Sequence, residues 1–184
     1  MPPTTSSNSA AWAAVTHRPS PLISSCQLTF IDRQAIDLRR ANAQHQAYCA
    51  SLQAAGIQVQ VLETSLDLPD SAFVEDCAVI LDELAVLTHP GGPSRQPEVE
   101  RLAPFIARIR PVVQVQSPAA LEGGDVLRIG KTLLVGESTR TNLAGIAALK
   151  EFVQPYGYRV IPVPVRGSLH LKTACTALDD ETLL

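Results

Sequence analysis

Two acidic turns of similar sequence carry the residues best suited to chemistry. Residues 121–125 read LEGGD and residues 73–76 read FVED. Each turn leads into a short apolar hairpin, and an arginine follows the hairpin, Arg140 in one copy and Arg95 in the other. Aligning the turns also aligns the apolar positions behind them, which indicates an internal repeat of the kind found in arrays and rings.

The repeated carboxylates and arginines favour a small substrate that is cationic at one end and anionic at the other. A ring of such units would bring both kinds of side chain to one mouth. Carboxylates accept paired hydrogen bonds from a planar guanidinium, and an arginine fork binds a free carboxylate in the same way. Arginine derivatives carry both groups, so they are the candidate ligands.

A structural role is the alternative for each of these side chains taken alone. Asp and Glu are common in turns and caps, and Arg95 or Arg140 alone would be typical of a solvated surface ion pair. Chance turns need not match in residue type and place. The repeat therefore favours a functional interpretation.

His170 lies at the start of a third copy of the repeat, where the other copies carry acids. A histidine titrates near neutrality and can transfer protons, although a purely structural histidine is the alternative. His17, His45 and His89 have no such placement, and we interpret them as surface residues.

Hydrophobic periodicity predicts that each copy is built as hairpin, helix and strand. The predicted helices are 34–55 (with Ile36, Ala43, Ala47, Tyr48 and Leu52 as the apolar face, closed by Gly56), 98–109 (with Val99, Leu102, Ile106 and Ile109) and 142–154. The predicted strands and hairpins are 11–16, 57–62, 73–87, 112–115, 126–135 with a turn at 130–131, and 158–163. This alternation indicates an α/β fold.

A third unit is expected to begin at His170. Residues 182–184 align with residues 132–134 when Asp180 is set on Gly130, so the chain ends inside the second strand of that hairpin. Repeats bury their faces only against neighbours. We therefore expect a fragment, or a product that lost its last module.

Composition excludes several classes of protein. The chain has 184 residues, is 46% hydrophobic and carries a net charge of −3, which predicts one sizeable core and no nucleic-acid partner. The apolar runs fall far short of the ~20 residues that span a bilayer, and the start lacks a secretory signal. Residues 1–10 are predicted to be a disordered extension, residues 11–184 one domain, and the chain cytoplasmic.

The cysteines predict neither a metal site nor a disulfide framework. Cys26, Cys49, Cys77 and Cys175 are widely spaced, without the pairing that zinc or disulfides require. They are interpreted as small buried hydrophobic residues, and no cofactor is predicted.

Four motifs in order resemble those of a known family. FVED at 73–76, LEGGD at 121–125, ESTRTN at 137–142 and LHLK at 169–172 are similar to dimethylarginine dimethylaminohydrolases (dimethylargininases) of the guanidine-modifying pentein superfamily. The resemblance implies an α/β propeller of five ββαβ-type units with the active site in the central channel. Residues 11–184 would form a partial pentein domain that lacks its last module.

The resemblance also implies a reaction and a set of site residues. A cysteine attacks the guanidino carbon of an N-methylated arginine, expels methylamine or dimethylamine, and water then releases citrulline. His170 would protonate the leaving amine and later activate the water. The implied substrate-binding residues are Glu122 and Asp76 for the guanidinium, Arg95 and Arg140 for the carboxylate, and Leu28 and Asp70 for the amino-acid end.

The family's nucleophile would lie beyond Leu184, so the resemblance implies that this chain alone is inactive. Cys175 is five residues past His170, inside a predicted strand, and is not a substitute. Covalent catalysis needs a thiolate within reach of the guanidino carbon. An arginine deiminase-like hydrolase and a non-catalytic remnant are the alternatives, and a homodimer and the preferred methylarginine are left open.

Overall fold

The computed structural model describes residues 13–184. The disordered extension expected for residues 1–10, and the first two residues of the predicted strand 11–16, lie outside this range. Within it are eight strands and four α-helices, none of the helices being long and apolar enough to cross a membrane. In chain order they are β1 Ala13–His17, α1 Leu38–Ala54, β2 Gln58–Leu62, β3 Ala78–Ile80, β4 Ala85–Leu87, α2 Gln96–Ile106, β5 Val112–Gln114, β6 Val126–Ile129, β7 Thr132–Glu137, α3 Leu143–Val153, β8 Arg159–Pro164 and α4 Leu171–Ala174.

Two of the three sheets have the same topology, which confirms the predicted repeat. In one sheet β3 pairs antiparallel with β4, and after α2 the strand β5 returns parallel to β4. In the next sheet β6, β7, α3 and β8 repeat this arrangement. The third sheet holds β1 and β2, a parallel pair joined through α1. Each unit therefore delivers its turn residues to the same end of its sheet.

The acidic turns are single turns of 3-10 helix directly before the hairpins. Val74–Cys77 precedes β3, and Gly123–Asp125 precedes β6. The short helix α4 takes the same place in the third copy, directly after His170. The predicted equivalence of His170 with the acidic turns is therefore confirmed by position.

The third hairpin differs from the prediction. Cys175 was expected inside a strand, but it follows α4 because the residues after His170 close a helical turn first. The pairing that follows is a single antiparallel bridge between Ala177 and Leu183. The turn expected around Asp180 is present between these two residues.

Two apolar clusters hold the units together. The larger lies between the two three-stranded sheets and α3, and includes Leu84, Leu121, Leu133, Val135 and Leu149, which are almost fully buried. Each such side chain contributes roughly 1.5–3 kcal/mol when removed from water. The smaller cluster joins α2 to β4 and to the end of β2. The strands that follow each acidic turn are thus anchored in a packed core.

Helix α1 departs most from its prediction. It begins at Leu38 because the Asp37 carboxylate caps it, accepting hydrogen bonds from Arg39 N and Arg40 N. Of the predicted apolar face, Ile36 and Tyr48 are exposed, and Cys49 is the buried residue of the helix. Among the described residues the sheet behind α1 has only two strands, so it offers the helix less surface than α2 and α3 receive.

Two further predictions about burial were wrong. Helix α2 ends at Ile106, so Ile109 lies beyond it and is 44% exposed, whereas Val99, Leu102 and Ile106 are buried as predicted. His17 is buried and not on the surface, because its ring hydrogen-bonds to Ser65 N and to its neighbour's carbonyl group.

Candidate active site

A single open cleft brings most of the predicted site residues together. Its volume is about 1490 Å³, and its walls include the ends of the repeated turns. The predicted site residues that line it are Asp70, Asp76, Arg95, Glu122, Arg140 and His170. Leu28 is half-buried and does not line the cleft, whereas its neighbour Gln27 does.

Glu122 lies at the centre of this group. It is fully buried, and its backbone N–H donates to Thr141 Oγ1 at 3.1 Å, which fixes the residue before the helical turn. One carboxylate oxygen, Oε2, accepts a hydrogen bond from His170 Nε2 at 2.8 Å. The other, Oε1, lies 3.6 Å from Arg140 Nη1 and has no hydrogen-bond partner among the described residues. A buried carboxylate oxygen is therefore left for a donor in the cleft.

His170 is held between two carboxylates. Its Nε2 is 2.8 Å from Glu122 and 3.8 Å from Asp76. Burial lowers the pKa of His170, but the hydrogen bond to Glu122 and the nearby charges of Asp76 and Asp125 outweigh it, and the net pKa is raised above 6.5. The ring is therefore protonated at a higher pH than a free histidine, as a proton donor near neutrality requires.

We expect the His170 ring to titrate above pH 6.5 in an NMR titration, and Glu122→Gln to lower that pKa. Because the folded-state pKa is raised, the stabilisation by the imidazolium is present below pH 6.5 and is lost as the pH rises through the folded-state value. His45 is the internal control, since burial and then His17 lower its pKa. A His170 titration below that of His45 would contradict the expectation.

Asp76 joins the site to a buried ion network. Its Oδ1 accepts from Gly124 N at 3.1 Å, and its Oδ2 pairs with Arg95 Nη1 at 2.8 Å. Arg95 Nε and Nη2 both donate to Glu98 Oε2, at 3.1 and 2.7 Å. Arg95 and Glu98 are each 4% exposed, so the surface ion pair considered from the sequence is wrong for Arg95. Its guanidinium is already engaged by two carboxylates.

Arg140 also lines the cleft. Its Nη1 donates to Gln27 Oε1 and its Nη2 to Thr29 Oγ1, both at 2.8 Å. Asp70 contacts the segment that holds Gln27 and Thr29, and its two carboxylate oxygens accept from Gln27 N at 3.1 and 3.2 Å. Burial raises the pKa of Asp70, while Arg95 and the hydrogen bond from Gln27 oppose that rise.

Three of these residues also have the geometry of a metal site. Donor atoms of Asp76, Glu122 and His170 lie within 4.8 Å of one another, and all three residues are buried. However, Arg95 and Arg140 already place two positive charges beside the same carboxylates. Both guanidinium groups repel a divalent cation more strongly than a monovalent one, and the carboxylate oxygens can accept hydrogen bonds, so the arrangement suits a monovalent organic cation with N–H donors better than a metal ion.

The cysteines are not part of the cleft. The structure describes all four, and none of their side chains lines the cleft. Cys77 follows Asp76 directly, but burial raises the pKa of its thiol to about 12, so it carries no thiolate near neutral pH. Cys26 and Cys49 are buried as predicted, whereas Cys175 is half-buried.

Three residues of the site were missed from the sequence. Glu98 could have been suspected, because it lies three residues after Arg95 and would share one helical face with it. Gln27 and Thr29 carry no such signal, since they reach Arg140 across more than 100 positions of the chain. Only folding brings Gln27 and Thr29 to Arg140.

Comparison with known proteins points to one family. A family model described as eukaryotic N,N dimethylarginine dimethylhydrolase matches residues 24–177. The N(G),N(G)-dimethylarginine dimethylaminohydrolase of Streptomyces coelicolor is 41% identical over 172 residues, which are 93% of this chain and 67% of that protein. The protein of the same name from Pseudomonas aeruginosa is 33% identical over 150 residues, 80% of this chain and 59% of that one.

Solved structures show the same fold. A mutant of the Pseudomonas aeruginosa enzyme in complex with citrulline superposes with a TM-score of 0.89 at 29% identity, covering 94% of this chain and 68% of that one. The N-terminal domain of ArgZ, a cyanobacterial arginine dihydrolase, superposes with a TM-score of 0.71 at 17% identity, covering 84% and 58%. These neighbours have the pentein fold, the α/β propeller that the family resemblance implied.

Proposed function

Because this chain belongs to the dimethylarginine dimethylaminohydrolase family of the pentein superfamily, we propose that its cleft is the substrate site of a hydrolase of N-methylated arginines. The reaction proposed is dimethylarginine and water to citrulline and dimethylamine. The observation that carries the proposal is the buried oxygen Oε1 of Glu122, which has no hydrogen-bond partner among the described residues, in a residue that lines the cleft together with Asp76 and Arg140.

The charges of the cleft match the two ends of such a substrate. A guanidinium can donate to Glu122 Oε1 and lie beside Asp76, where planar N–H donors meet carboxylate acceptors. At the other end Arg140 offers a fork for the α-carboxylate, and Asp70 offers a carboxylate for the α-ammonium group. We assign Arg95 to the same end, and its bonds to Asp76 and Glu98 also tie that end to the guanidinium site.

His170 is proposed to handle protons at the reacting carbon. Its pKa is raised by Glu122 and Asp76 against the effect of burial, so it can protonate a leaving amine and then take a proton from water. The thiol that the family's covalent chemistry requires is not supplied by any cysteine lining this cleft. We therefore propose that the 184 residues alone bind the methylated arginine but do not hydrolyse it.

Titration calorimetry with asymmetric dimethylarginine and with citrulline tests the proposal. We expect saturable binding, and we expect Glu122→Gln to weaken the binding of dimethylarginine by at least about tenfold, because a charge-assisted hydrogen bond is worth about 1.5–3 kcal/mol. Glu137→Gln is the matched control, since Glu137 is exposed at the end of β7. Equal affinities for the two variants would contradict the proposed site, and citrulline formed above the blank would contradict the absence of turnover.

An arginine deiminase-like specificity is the second candidate. Arginine deiminases of two mycobacteria are each 38% identical to this chain over 72 residues. The two specificities differ in whether the pocket admits methyl groups on the guanidinium. Tighter binding of arginine than of dimethylarginine in the same calorimeter would favour the deiminase type.

A further inference from the structure

Asp125 is the buried carboxylate that ends the second acidic turn, and it does not line the cleft. Its Oδ1 accepts a hydrogen bond from Leu171 N at 2.9 Å, and its Oδ2 accepts one from Ser138 Oγ at 2.6 Å. A Cβ atom on Gly136 would come within 2.5 Å of Oδ1, so the glycine leaves the space that the carboxylate fills. Both oxygens of Asp125 are therefore bound inside the protein.

The hydroxyl group of Ser138 extends this contact to Arg140 and Glu122. It donates its one proton to Asp125, so its oxygen is free to accept from Arg140 N at 2.9 Å. The same oxygen accepts from Thr141 N at 3.2 Å, which uses both of its lone pairs. Thr141 Oγ1 in turn accepts from Glu122 N at 3.1 Å. A single hydroxyl group thus connects Asp125 with the backbone of two residues that line the cleft.

The first copy of the repeat uses the corresponding carboxylate differently. Asp76 Oδ2 pairs with the guanidinium of Arg95 at 2.8 Å, which keeps that side chain in the buried ion network. The residue two positions before Arg95 is Pro93, which has no hydroxyl group. In the second copy the residue two positions before Arg140 is Ser138, and it binds the carboxylate oxygen in place of the guanidinium. The Arg140 side chain therefore extends to the cleft.

His170 is held by the same carboxylate through its neighbour. The bond from Leu171 N to Asp125 fixes the backbone directly after the residue that carries the imidazole ring. Glu122 and Asp76 are the other two carboxylates that face the ring, at 2.8 and 3.8 Å. Burial lowers the pKa of the ring, whereas the hydrogen bond to Glu122 and the charges of Asp76 and Asp125 raise it. Asp125 thus acts on both the position and the charge of His170.

We propose that Asp125 and Ser138 form a positioning pair for the cleft. The pair sets the relative places of three functional residues through hydrogen bonds to the backbone at or beside them, and these residues are His170, Glu122 and Arg140. This inference rests on the proposed function of the cleft. Neither member of the pair lines the cleft, so each acts on a ligand only through these residues. Because the two side chains share one hydrogen bond, removing either one is expected to release the same groups.

Amide exchange in the ligand-free protein tests the pair. Ser138→Ala removes the acceptor of Arg140 N and Thr141 N, so both amides should exchange about fivefold faster. Asp125→Asn keeps the shape of the side chain and an acceptor for Leu171 N, but its amide nitrogen cannot accept from Ser138. The same two amides should therefore exchange faster in Asp125→Asn, although the substitution lies in a different turn.

Two exposed positions supply the controls. Ser51→Ala, on α1, removes a hydroxyl group, and Asp179→Asn removes a carboxylate, each outside the cleft. Neither control should change the exchange of the two amides. Unchanged exchange of the two amides in Asp125→Asn would overturn the proposal, because Ser138 would then hold them without its partner.

The titration of His170 separates positioning from stability. Asp125→Asn should lower the pKa of His170, since it removes a nearby negative charge. Ser138→Ala changes no charge, so a lower pKa in this variant reports the displacement of Asp125 and Glu122 from the ring. A residue that only stabilised the fold would leave the pKa where it is in wild type. An unchanged pKa in Ser138→Ala would overturn the proposal, whereas Ser51→Ala should leave it unchanged.

Calorimetry with citrulline measures the consequence for binding. Ser138→Ala and Asp125→Asn should each weaken binding about fivefold, and the double variant should bind no more weakly than Asp125→Asn alone. Unchanged affinity in both single variants, or additive losses in the double variant, would show that the two residues do not act as a pair. If wild type bound neither citrulline nor dimethylarginine, the proposed function would fail, and amide exchange and the His170 titration would still decide whether the pair exists.

Discussion

Replacing Glu98 by alanine is expected to lower the free energy of unfolding by about 3–5 kcal/mol. Arg95 is 4% exposed and directs two of its nitrogens to Glu98 Oε2. Removing that carboxylate leaves a buried guanidinium with Asp76 as its one remaining ion-pair partner among the described residues. Losing one of its two counter-charges costs more than the lost contact itself, because the guanidinium is almost entirely removed from water.

Urea denaturation at neutral pH measures this change. Glu100→Ala is the control, because Glu100 is on the same helix, is exposed and should change stability by no more than about 0.5 kcal/mol. Equal unfolding midpoints for the two variants would show that Arg95 does not depend on Glu98. Since Arg95 also holds Asp76, Glu98→Ala should weaken citrulline binding in addition to destabilising the fold.

Replacing Gly123 by alanine is expected to damage the site and the fold together. A Cβ atom at this position would lie 2.0 Å from the carbonyl oxygen of Glu75, a backbone atom that cannot rotate away. The two acidic turns would have to separate, at a cost near the upper end of the roughly 1–3 kcal/mol typical of overpacking. Glu122 is the preceding residue, so its carboxylate would move with the turn.

Thermal unfolding and calorimetry with dimethylarginine measure the two effects of Gly123→Ala. Gly91→Ala is the matched control, because the nearest atom to a Cβ there is 3.8 Å away and its backbone is not in the left-handed region. That control should be neutral or slightly stabilising, since alanine restricts the unfolded chain. Unchanged dimethylarginine binding by Gly123→Ala would show that the two turns are not coupled through this contact.

The repeat made much of the fold predictable from the sequence. Setting one acidic turn on the other predicted two hairpins, the helices behind them and the place of His170, because each copy repeats the same local pattern of apolar and polar residues. Caps sharpened the boundaries, as when Asn142 accepts from Gly145 N and starts α3 where the helix was expected. Local sequence patterns were therefore sufficient to predict the elements of the repeated units.

Prediction failed where burial depends on distant surfaces. The spacing of Ala43, Ala47 and Tyr48 is that of an amphipathic helix, yet these residues are exposed, because the sheet behind α1 is narrow among the described residues. Arg95 and Arg140 looked equivalent in the sequence, but one enters a buried ion network and the other meets a loop from the start of the chain. Sequence spacing carries no information about either partner.

The two acidic turns are each fastened to the turn that follows by the same kind of bond. Asp76 Oδ1 accepts from the backbone N–H of Gly124 at 3.1 Å, and Asp125 Oδ1 accepts from that of Leu171 at 2.9 Å. A backbone N–H is available from any residue except proline. Position 124 requires a glycine for a different reason, since a Cβ there would come within 2.6 Å of His170 Nδ1.

This hydrogen bond requires a particular side chain only on the accepting residue, because the donor is a backbone N–H. The accepting side chain is an aspartate in both copies, whereas the donating residue is a glycine in one and a leucine in the other. The residue just before the donor also differs between copies: it is Gly123 in one, where the contact with Glu75 excludes a side chain, and His170 in the other. The chemical groups beside these bonds can therefore differ from one module to the next while the bond between neighbouring modules stays the same.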